Sequence, residues 1–403
     1  MKKKVLFVIN TMGRAGAERC LLHLLKAWQD DSYELSLFSV LGRGELFDEV
    51  PSHVRILNQT PEKTTVFDKK ARKGIMKDLL KGMWKKKILL REIFSMLGLL
   101  FWQVKEKKVD VKKLCWKPAS DTAQGVEEAF DLAVGYLQGA ATYYVMDHVK
   151  AAKKVVFLHN DYGASGYCPK RDWPYYEKAD KIFCVSNFIA EGLKEIFPDC
   201  RGKIEIFYNF ADALWVKERA KEGDLGTDGI PMDMKREPGT ILLLTAARLE
   251  PAKAFDVAIQ AMAILKQKNV NACWYVLGDG SLRRELEREI RKQKVEDRFF
   301  LLGAKENPYP YMAACDIYVQ ETYFEGFCTS ITEAVILGRK VVASCCGSNQ
   351  EQLAFYGTGM ITELNPGAIA EGIERALREE QPKVDVMERQ KEELERLKRE
   401  AWT

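Results

Sequence analysis

Glu325 and Glu333 stand eight residues apart in the stretch Glu325-Gly326-Phe327-Cys328-Thr329-Ser330-Ile331-Thr332-Glu333. A β-like apolar segment, 316–320, comes before it and another, 340–344, comes after. The order strand, turn, helix, strand is that of a parallel βαβ unit. Ligands of open parallel sheets bind beyond the carboxyl ends of the strands, and Glu325 falls there. The amides of Phe327, Cys328 and Thr329 would open the helix and are placed to hold an anion. Glu333, a turn further in, is suited to accept hydrogen bonds from a ribose diol, and Glu325 to grip hydroxyls on whatever the phosphate carries. A structural alternative stands beside this. Ser330-x-x-Glu333 also fits a capping box, in which Glu333 only closes the helix start.

Three other places carry comparable chemistry. Arg248 and Lys253 lie five residues apart in a loop after an apolar strand pattern. Both are able to face one diphosphate, arginine as a fork and lysine as a point charge. An ordinary exposed pair is the plain alternative. His159 ends the strand-like run 155–159, a site position in an α/β sheet, or else a satisfied structural histidine. Gly16 belongs to a glycine-containing loop between the first strand pattern, 5–9, and the first helical pattern, at Cys20, Leu21, Leu24 and Leu25. That is a phosphate-loop position or a tight turn. Gly278 and Gly280 close the strand pattern 274–277 and read as a turn.

The elements that must position these residues form two sets. Further strand patterns fall at 35–40, 54–57, 131–136, 179–186 and 203–209, then at 241–247 and 299–302. Residues 212–239 are polar and punctuated by glycine and proline, which marks a linker. The expected organisation is a first domain at 1–211, a linker at 212–239, a second domain at 240–383 and a charged terminal helix at 384–403.

The chain has 403 residues, too many for one ordinary core. It carries 62 Lys plus Arg against 58 Asp plus Glu, a near balance that does not suggest a nucleic-acid binder. Ten scattered cysteines without a C-x-x-C suit reduced cytoplasmic thiols. Four histidines without ligand spacing argue against a protein-held metal. The apolar run after Lys2-Lys3-Lys4 is too short for a signal peptide, and no run reaches the roughly 20 residues that span a bilayer. Residues 68–117 differ from the rest. They hold sixteen Lys/Arg and five Asp/Glu, a net charge of +11, so the remainder of a +4 chain sums to −7. Basic residues interleaved with Trp84, Trp102, Trp116 and aliphatics suit an interfacial element that meets an anionic membrane or acceptor. A solvated basic helical pair is the alternative.

The wider stretch resembles the donor-binding signature of retaining glycosyltransferases of family 4, E-G-F-G-x4-E-A-x3-G-x-P-V-V-A. Here it reads EGFCTSITEAVILGRKVVAS, with Cys328 in place of glycine and Lys340 in place of proline. The family's G-R-L-x3-K-G is similar to Ala247–Ala254, with Arg248 and Lys253 kept and both glycines replaced by alanine. Its G-G-A-E loop is similar to Ala15-Gly16-Ala17-Glu18, its G-x-G to Gly278-Asp279-Gly280, and its strand-end histidine to His159. The resemblance implies an α/β GT-B fold, two Rossmann-like domains facing across a cleft, the second holding the nucleotide-sugar. It implies that Glu325 and His159 meet the donor sugar. Arg248, Lys253, Gly16, Phe327, Cys328 and Thr329 would meet the diphosphate, Glu333 the ribose, and Gly278 and Gly280 would pack close to the donor. The terminal helix would cross back to the first domain. The implied activity is transfer of a sugar from a UDP-sugar to a glycan or lipid-linked acceptor, with no cofactor, at the cytoplasmic face of a membrane. A non-catalytic partner subunit and a sugar-nucleotide epimerase or hydrolase are the other readings.

Overall fold

The structure, a computed structural model, describes residues 2–60, 69–226, 229–234 and 237–402. Residue 68 of the basic segment and four residues of the expected linker lie outside the described residues. The chain forms two compact units. Met1–Phe210 with Lys391–Thr403 make the first, and Ala211–Gln390 the second.

The first unit begins with β1 (Lys3–Ile9), α1 (Gly16–Ala27), β2 (Tyr33–Ser39) and β3 (Val54–Ile56). The basic segment follows as α2 (Lys69–Lys85), α3 (Leu89–Lys105), α4 (Val111–Leu114) and α5 (Trp116–Thr122). Then come β4 (Ala129–Gly135), α6 (Ala140–His148), β5 (Lys150–Leu158), α7 (Pro169–Lys178), β6 (Lys181–Cys184), α8 (Asn187–Ile196) and β7 (Ile204–Ile206). All pairings are parallel, in the order β3-β2-β1-β4-β5-β6-β7. Val5 to Ile9 are wholly buried, which is why a continuous apolar run marks this strand rather than an alternation.

The second unit starts earlier than the end of the expected linker. Its first helix is α9 (Ala213–Arg219), where Asp212 caps the Trp215 amide at 3.1 Å. The stretch read as a linker is therefore structured at its start, because an Asp cap and Trp215 give it both a beginning and a packing face. Next come β8 (Ile241–Ala246), α10 (Phe255–Gln267), β9 (Ala272–Leu277), α11 (Arg283–Lys292), β10 (Phe299–Gly303), α12 (Tyr309–Ala314) and β11 (Ile317–Gln320). The chain continues as α13 (Thr329–Ile336), β12 (Lys340–Ser344), α14 (Gly347–Tyr356), β13 (Met360–Thr362), α15 (Pro366–Arg378) and α16 (Val386–Glu400). Strand order is β10-β9-β8-β11-β12-β13, again parallel. Each sheet therefore reverses direction beside its first strand, at β1/β4 and at β8/β11. Such a switch point is where a doubly wound sheet leaves a crevice for a ligand.

From Lys391 on, α16 belongs to the first unit. Leu394, Leu397 and Ala401 join the cluster that holds Val5, Phe7, Leu21 and Trp28.

Candidate active site

The second unit's switch point gathers most of the chemistry. The β8 strand ends at Ala246 and leads to exposed Arg248, then to a 3-10 turn at Pro251–Lys253. The neighbouring β11 ends at Gln320 and leads through Glu321 to Glu325. Lys253 and Glu325 form an ion pair across the two loops, with 19% and 20% of their side chains open to solvent. Burial alone would depress the Lys253 pKa, but the Glu325 carboxylate more than offsets this and holds it above the ordinary lysine value. Arg248 is close enough for its charge to oppose that of Lys253. Two cations and one carboxylate thus converge outside the carboxyl ends of the two central strands.

Hydrogen bonds fix these loops to one another. Thr322 Oγ1 donates to the Ala252 carbonyl at 2.8 Å and the Tyr323 amide to the same oxygen at 3.0 Å. The Thr322 amide donates to Ser344 Oγ at 2.9 Å, and Ser348 Oγ donates to the Glu325 carbonyl at 2.6 Å. Gly278 and Gly280 serve the same loop from the other side. A Cβ on Gly278 would lie 1.9 Å from the Ala247 carbonyl oxygen, and one on Gly280 would lie 2.3 Å from that of Leu249. Only glycine lets the β9 loop press against the backbone that carries Arg248.

The start of α13 differs from the expectation. The Cys328 amide, expected to be open to an anion, is taken by Gln352 Oε1 at 3.0 Å. Gln352 also donates to the Cys328 carbonyl at 2.7 Å and to Thr332 Oγ1 at 2.9 Å. A buried amide must be paired, and the α14 glutamine supplies the partner. Burial pushes the Cys328 thiol up to about 12, so it stays neutral, and it donates to Gln320 Oε1 at 3.3 Å. Phe327 is buried beside it and Thr329 opens the helix. The capping-box alternative is not formed. The residue before α13 is Cys328, and Ser330 Oγ donates to the Ala246 carbonyl at 3.2 Å. Glu333 is buried and accepts from Tyr309 Oη at 2.9 Å. Trp215 of α9 packs edge-on against Tyr309 at 5.4 Å, so the first helix of this unit backs the Glu333 contact.

His159 and Gly16 belong to the first unit. Gly16 is the first residue of α1, after the carboxyl end of β1. His159 follows the carboxyl end of β5, 7% exposed, with its ring 4.9 Å from that of Tyr136. Burial lowers its pKa to about 4, so it is neutral at pH 7. Neither ring nitrogen has a hydrogen bond of good geometry, although the Tyr136 backbone and Asn209 lie close enough to favour the charged form weakly. Gln138 ties the strand ends together. Its Oε1 accepts the His159 amide at 3.1 Å and its carbonyl accepts Asn10 Nδ2 at 3.3 Å.

Among the described residues, Asp121, Asp147 and His148 alone approach one another like metal ligands. Lys117 pairs with both carboxylates and Arg91 with Asp121, so their charge is already met. This group lies on α5 and α6, outside the loops described above.

Residues 232–394 match the family model for glycosyl transferases group 1. That stretch of the chain is similar to this family. A Campylobacter jejuni protein, the N-acetylgalactosamine-N,N'-diacetylbacillosaminyl-diphospho-undecaprenol 4-alpha-N-acetylgalactosaminyltransferase, is 29% identical over 209 residues, 51% of this chain and 53% of the relative. The Rhizobium meliloti lipopolysaccharide core biosynthesis glycosyltransferase LpsE is 23% identical over 50% of this chain and 54% of its own length. The chain thus spans about half the length of these relatives. Among solved structures, Anabaena HepE in complex with UDP and glucose covers 94% of this chain and 90% of its own, with TM-score 0.62 and 16% identity. Trehalose-6-phosphate synthase covers 100% and 96%, with TM-score 0.61 and 11% identity. The likeness in fold is that of GT-B proteins, two Rossmann-like units in one chain.

Several residues of this group 1 region escaped the reading of the sequence. Gln352 and Ser348 come from α14 and carry no local motif. Glu321 is the most unusual. It is fully buried, Thr245 Oγ1 donates to its Oε2 at 3.2 Å, and its Oε1 has no partner. Burial raises its pKa well above the ordinary glutamate value. Its only signal in the sequence is a carboxylate directly after a buried strand.

Proposed function

We propose that the protein is a retaining hexosyltransferase that moves a sugar from a nucleotide-diphosphate sugar, a UDP-sugar foremost, to a hydroxyl of a glycan or lipid-linked acceptor. The observation that carries this reading is the meeting of Arg248, Lys253 and Glu325 at the β8/β11 switch point. Arg248 and Lys253 face the departing diphosphate and take up the charge that develops as the bond to the sugar's C1 breaks. Glu325 exchanges its bond to Lys253 for the sugar hydroxyls. Glu333, steadied by Tyr309, accepts the ribose hydroxyls. His159, neutral at working pH, meets the sugar as a hydrogen-bonding group rather than as a charge. No cofactor or protein-held metal enters this reading, because the two cations supply the neutralising charge. The Campylobacter relative's named acceptor, a diphospho-undecaprenol glycan, supports a lipid-linked acceptor of the same kind. The setting we assign is the cytoplasmic side of a membrane, with peripheral attachment.

The test is incubation with a panel of labelled nucleotide-sugars, with and without glycan acceptors. Acceptor-dependent release of the nucleoside diphosphate and a product of unchanged anomeric configuration are expected. Arg248→Ala and Glu325→Ala should each lower turnover by about 100-fold or more while unfolding stays as in the wild type. Donor left intact under every condition would favour a non-catalytic partner subunit, and an altered sugar would favour an epimerase. Full activity in both variants would refute the assignment.

A further inference from the structure

α3 is turned inside out. A helix that covers a sheet normally buries its apolar stripe and exposes its polar one. Here the buried positions include Glu92 and Gln103 beside Leu99. Gln103 Nε2 donates to the Gly166 carbonyl at 2.9 Å, and Glu92 pairs with Arg91 at 2.7 Å. The exposed positions are Leu90, Ile93, Phe94, Leu97, Phe101 and Val104. At 3.6 residues per turn these six fall within roughly 100° of one another, a single outward stripe. Phe94 is 71% exposed and Phe101 75%. A second stripe runs along α2. Ile75, Leu79 and Met83 are buried, while Met76, Leu80 and Trp84 are exposed, Trp84 at 75%. The apolar surface continues into a groove of about 320 Å³ lined by Leu41, Met76, Leu79, Val109 and Val111.

The charge around this surface is predominantly positive. Residues 73–108 hold ten Lys/Arg and three Asp/Glu. Lys73, Lys77, Lys81 and Lys85 are all exposed and recur every fourth residue, alongside the Met76/Leu80/Trp84 stripe. Of the three acids, Glu92 is buried and Asp78 pairs with Arg43 at 2.8 Å. An isolated apolar patch fits many partners. A patch with large aromatics, rimmed by unopposed lysines, fits the boundary between acyl chains and anionic headgroups. The 17 residues of α3 include Arg91, Glu92 and Lys105, and no described helix is long and apolar enough to cross a membrane. The geometry is that of a helix lying in the interface.

We propose that the outward faces of α2 and α3 form a monotopic docking surface for a bilayer rich in anionic lipid. Phe94, Leu97, Phe101 and Trp84 enter the acyl boundary, and the α2 lysines meet the headgroups. This sharpens the peripheral attachment proposed above, yet it stands on side chains that take no part in the donor site.

The test uses the full chain with sedimentable vesicles of phosphatidylcholine, with and without phosphatidylglycerol, at low and high salt and without donor. The wild type should sediment with phosphatidylglycerol vesicles, less at high salt, and Trp84 fluorescence should shift to the blue. Phe94→Ser/Phe101→Ser should weaken vesicle binding by about 100-fold with unchanged circular dichroism. Lys77→Ser/Lys81→Ser/Lys85→Ser should remove the preference for phosphatidylglycerol and the salt dependence. A wild type that stays in the supernatant overturns the proposal. So does an aromatic variant that binds as the wild type does, or a wild-type dimer that this variant splits, which would make a second copy the occupant. Donor turnover on a soluble acceptor, measured separately, reports on the catalytic reading whichever way the vesicles behave.

Discussion

Lys253 and Glu325 neutralise each other, and this decides how the cluster behaves before a ligand arrives. An unpaired, four-fifths buried ammonium would be driven toward its neutral form, but the carboxylate keeps it charged, as the proposed contact with a diphosphate requires. Gly278 bears on the same cluster through backbone alone. Its φ is +147°, and a methyl group there would run into the Ala247 carbonyl at 1.9 Å. The loop that carries Arg248 would have to move. Gly278→Ala is therefore expected to cost roughly 2–4 kcal/mol of stability and to weaken nucleotide binding more than Arg248 exposure would suggest. Gly98→Ala, on α3 where nothing lies within 4 Å of an added Cβ, should instead be neutral or stabilise by roughly 0.5–1 kcal/mol. Denaturant titration and isothermal titration with UDP would check both, and equal effects would refute the close-approach argument. The sequence made Arg248, Lys253, Glu325 and Glu333 legible because charge type and spacing survive in one dimension. It did not reveal that Gln352 would occupy the Cys328 amide. That partner lies 24 residues away on another helix, and no periodicity announces a side chain that serves a distant backbone group.

The connection from β11 to α13 shows what one element must accommodate. It leaves a buried strand, carries Glu321 and Thr322 through the core, surfaces at Tyr323 and Phe324 and turns back to half-buried Glu325. Burial raises the Glu321 pKa in the folded state, so the proton is kept to higher pH than in the unfolded chain, which releases it above about pH 4.5. Its folded pKa is raised, so the stability it contributes is complete below about pH 4.5 and is lost as pH climbs toward the folded value. Glu321→Gln keeps the shape and removes the proton release. The variant should match the wild type near pH 4.5 and exceed it at pH 8 by on the order of 1–3 kcal/mol. Thermal unfolding at the two pH values would check this, and parallel pH slopes in the two proteins would sink it. Elements of this kind differ in legibility. The central strands announce themselves as apolar runs because parallel strands are buried on both faces. The three residues of β13 are only half buried at the sheet edge and left no pattern to read. Likewise α9 hid in a polar stretch, since one cap and one tryptophan are a faint signal.

At the scale of the whole molecule, the chain leaves the first unit after Phe210 and returns to it at Lys391. The return is anchored. Leu394, Leu397 and Ala401 enter the β1/α1 cluster, Arg396 donates to the Ile206 carbonyl, and the Lys3 ammonium lies 4.2 Å over the Trp402 ring. The charge pattern of the terminal segment suggested a helix and the family resemblance implied its return to the first domain, but which core residues received its leucines depended on contacts nearly four hundred residues apart in sequence. Each unit has its own core, with Leu243, Phe255 and Trp274 central to the second. Damage to α16 should therefore be felt unevenly. Leu394→Ala and Leu397→Ala each remove a nearly fully buried side chain and should cost the first unit roughly 2–5 kcal/mol. Hydrogen exchange would resolve the effect by element. Amides of β1, β2 and α1 should lose protection, while those of β8, β9 and α10 should keep it because their contacts are unchanged. If both units lost protection equally, they would unfold as one cooperative body and the division at Phe210 and Lys391 would have no energetic meaning. If only β1, β2 and α1 respond, the segment from Lys391 on is a working part of the first unit's core, and removing it should unfold that unit while leaving the loops after β8 and β11 of the second intact.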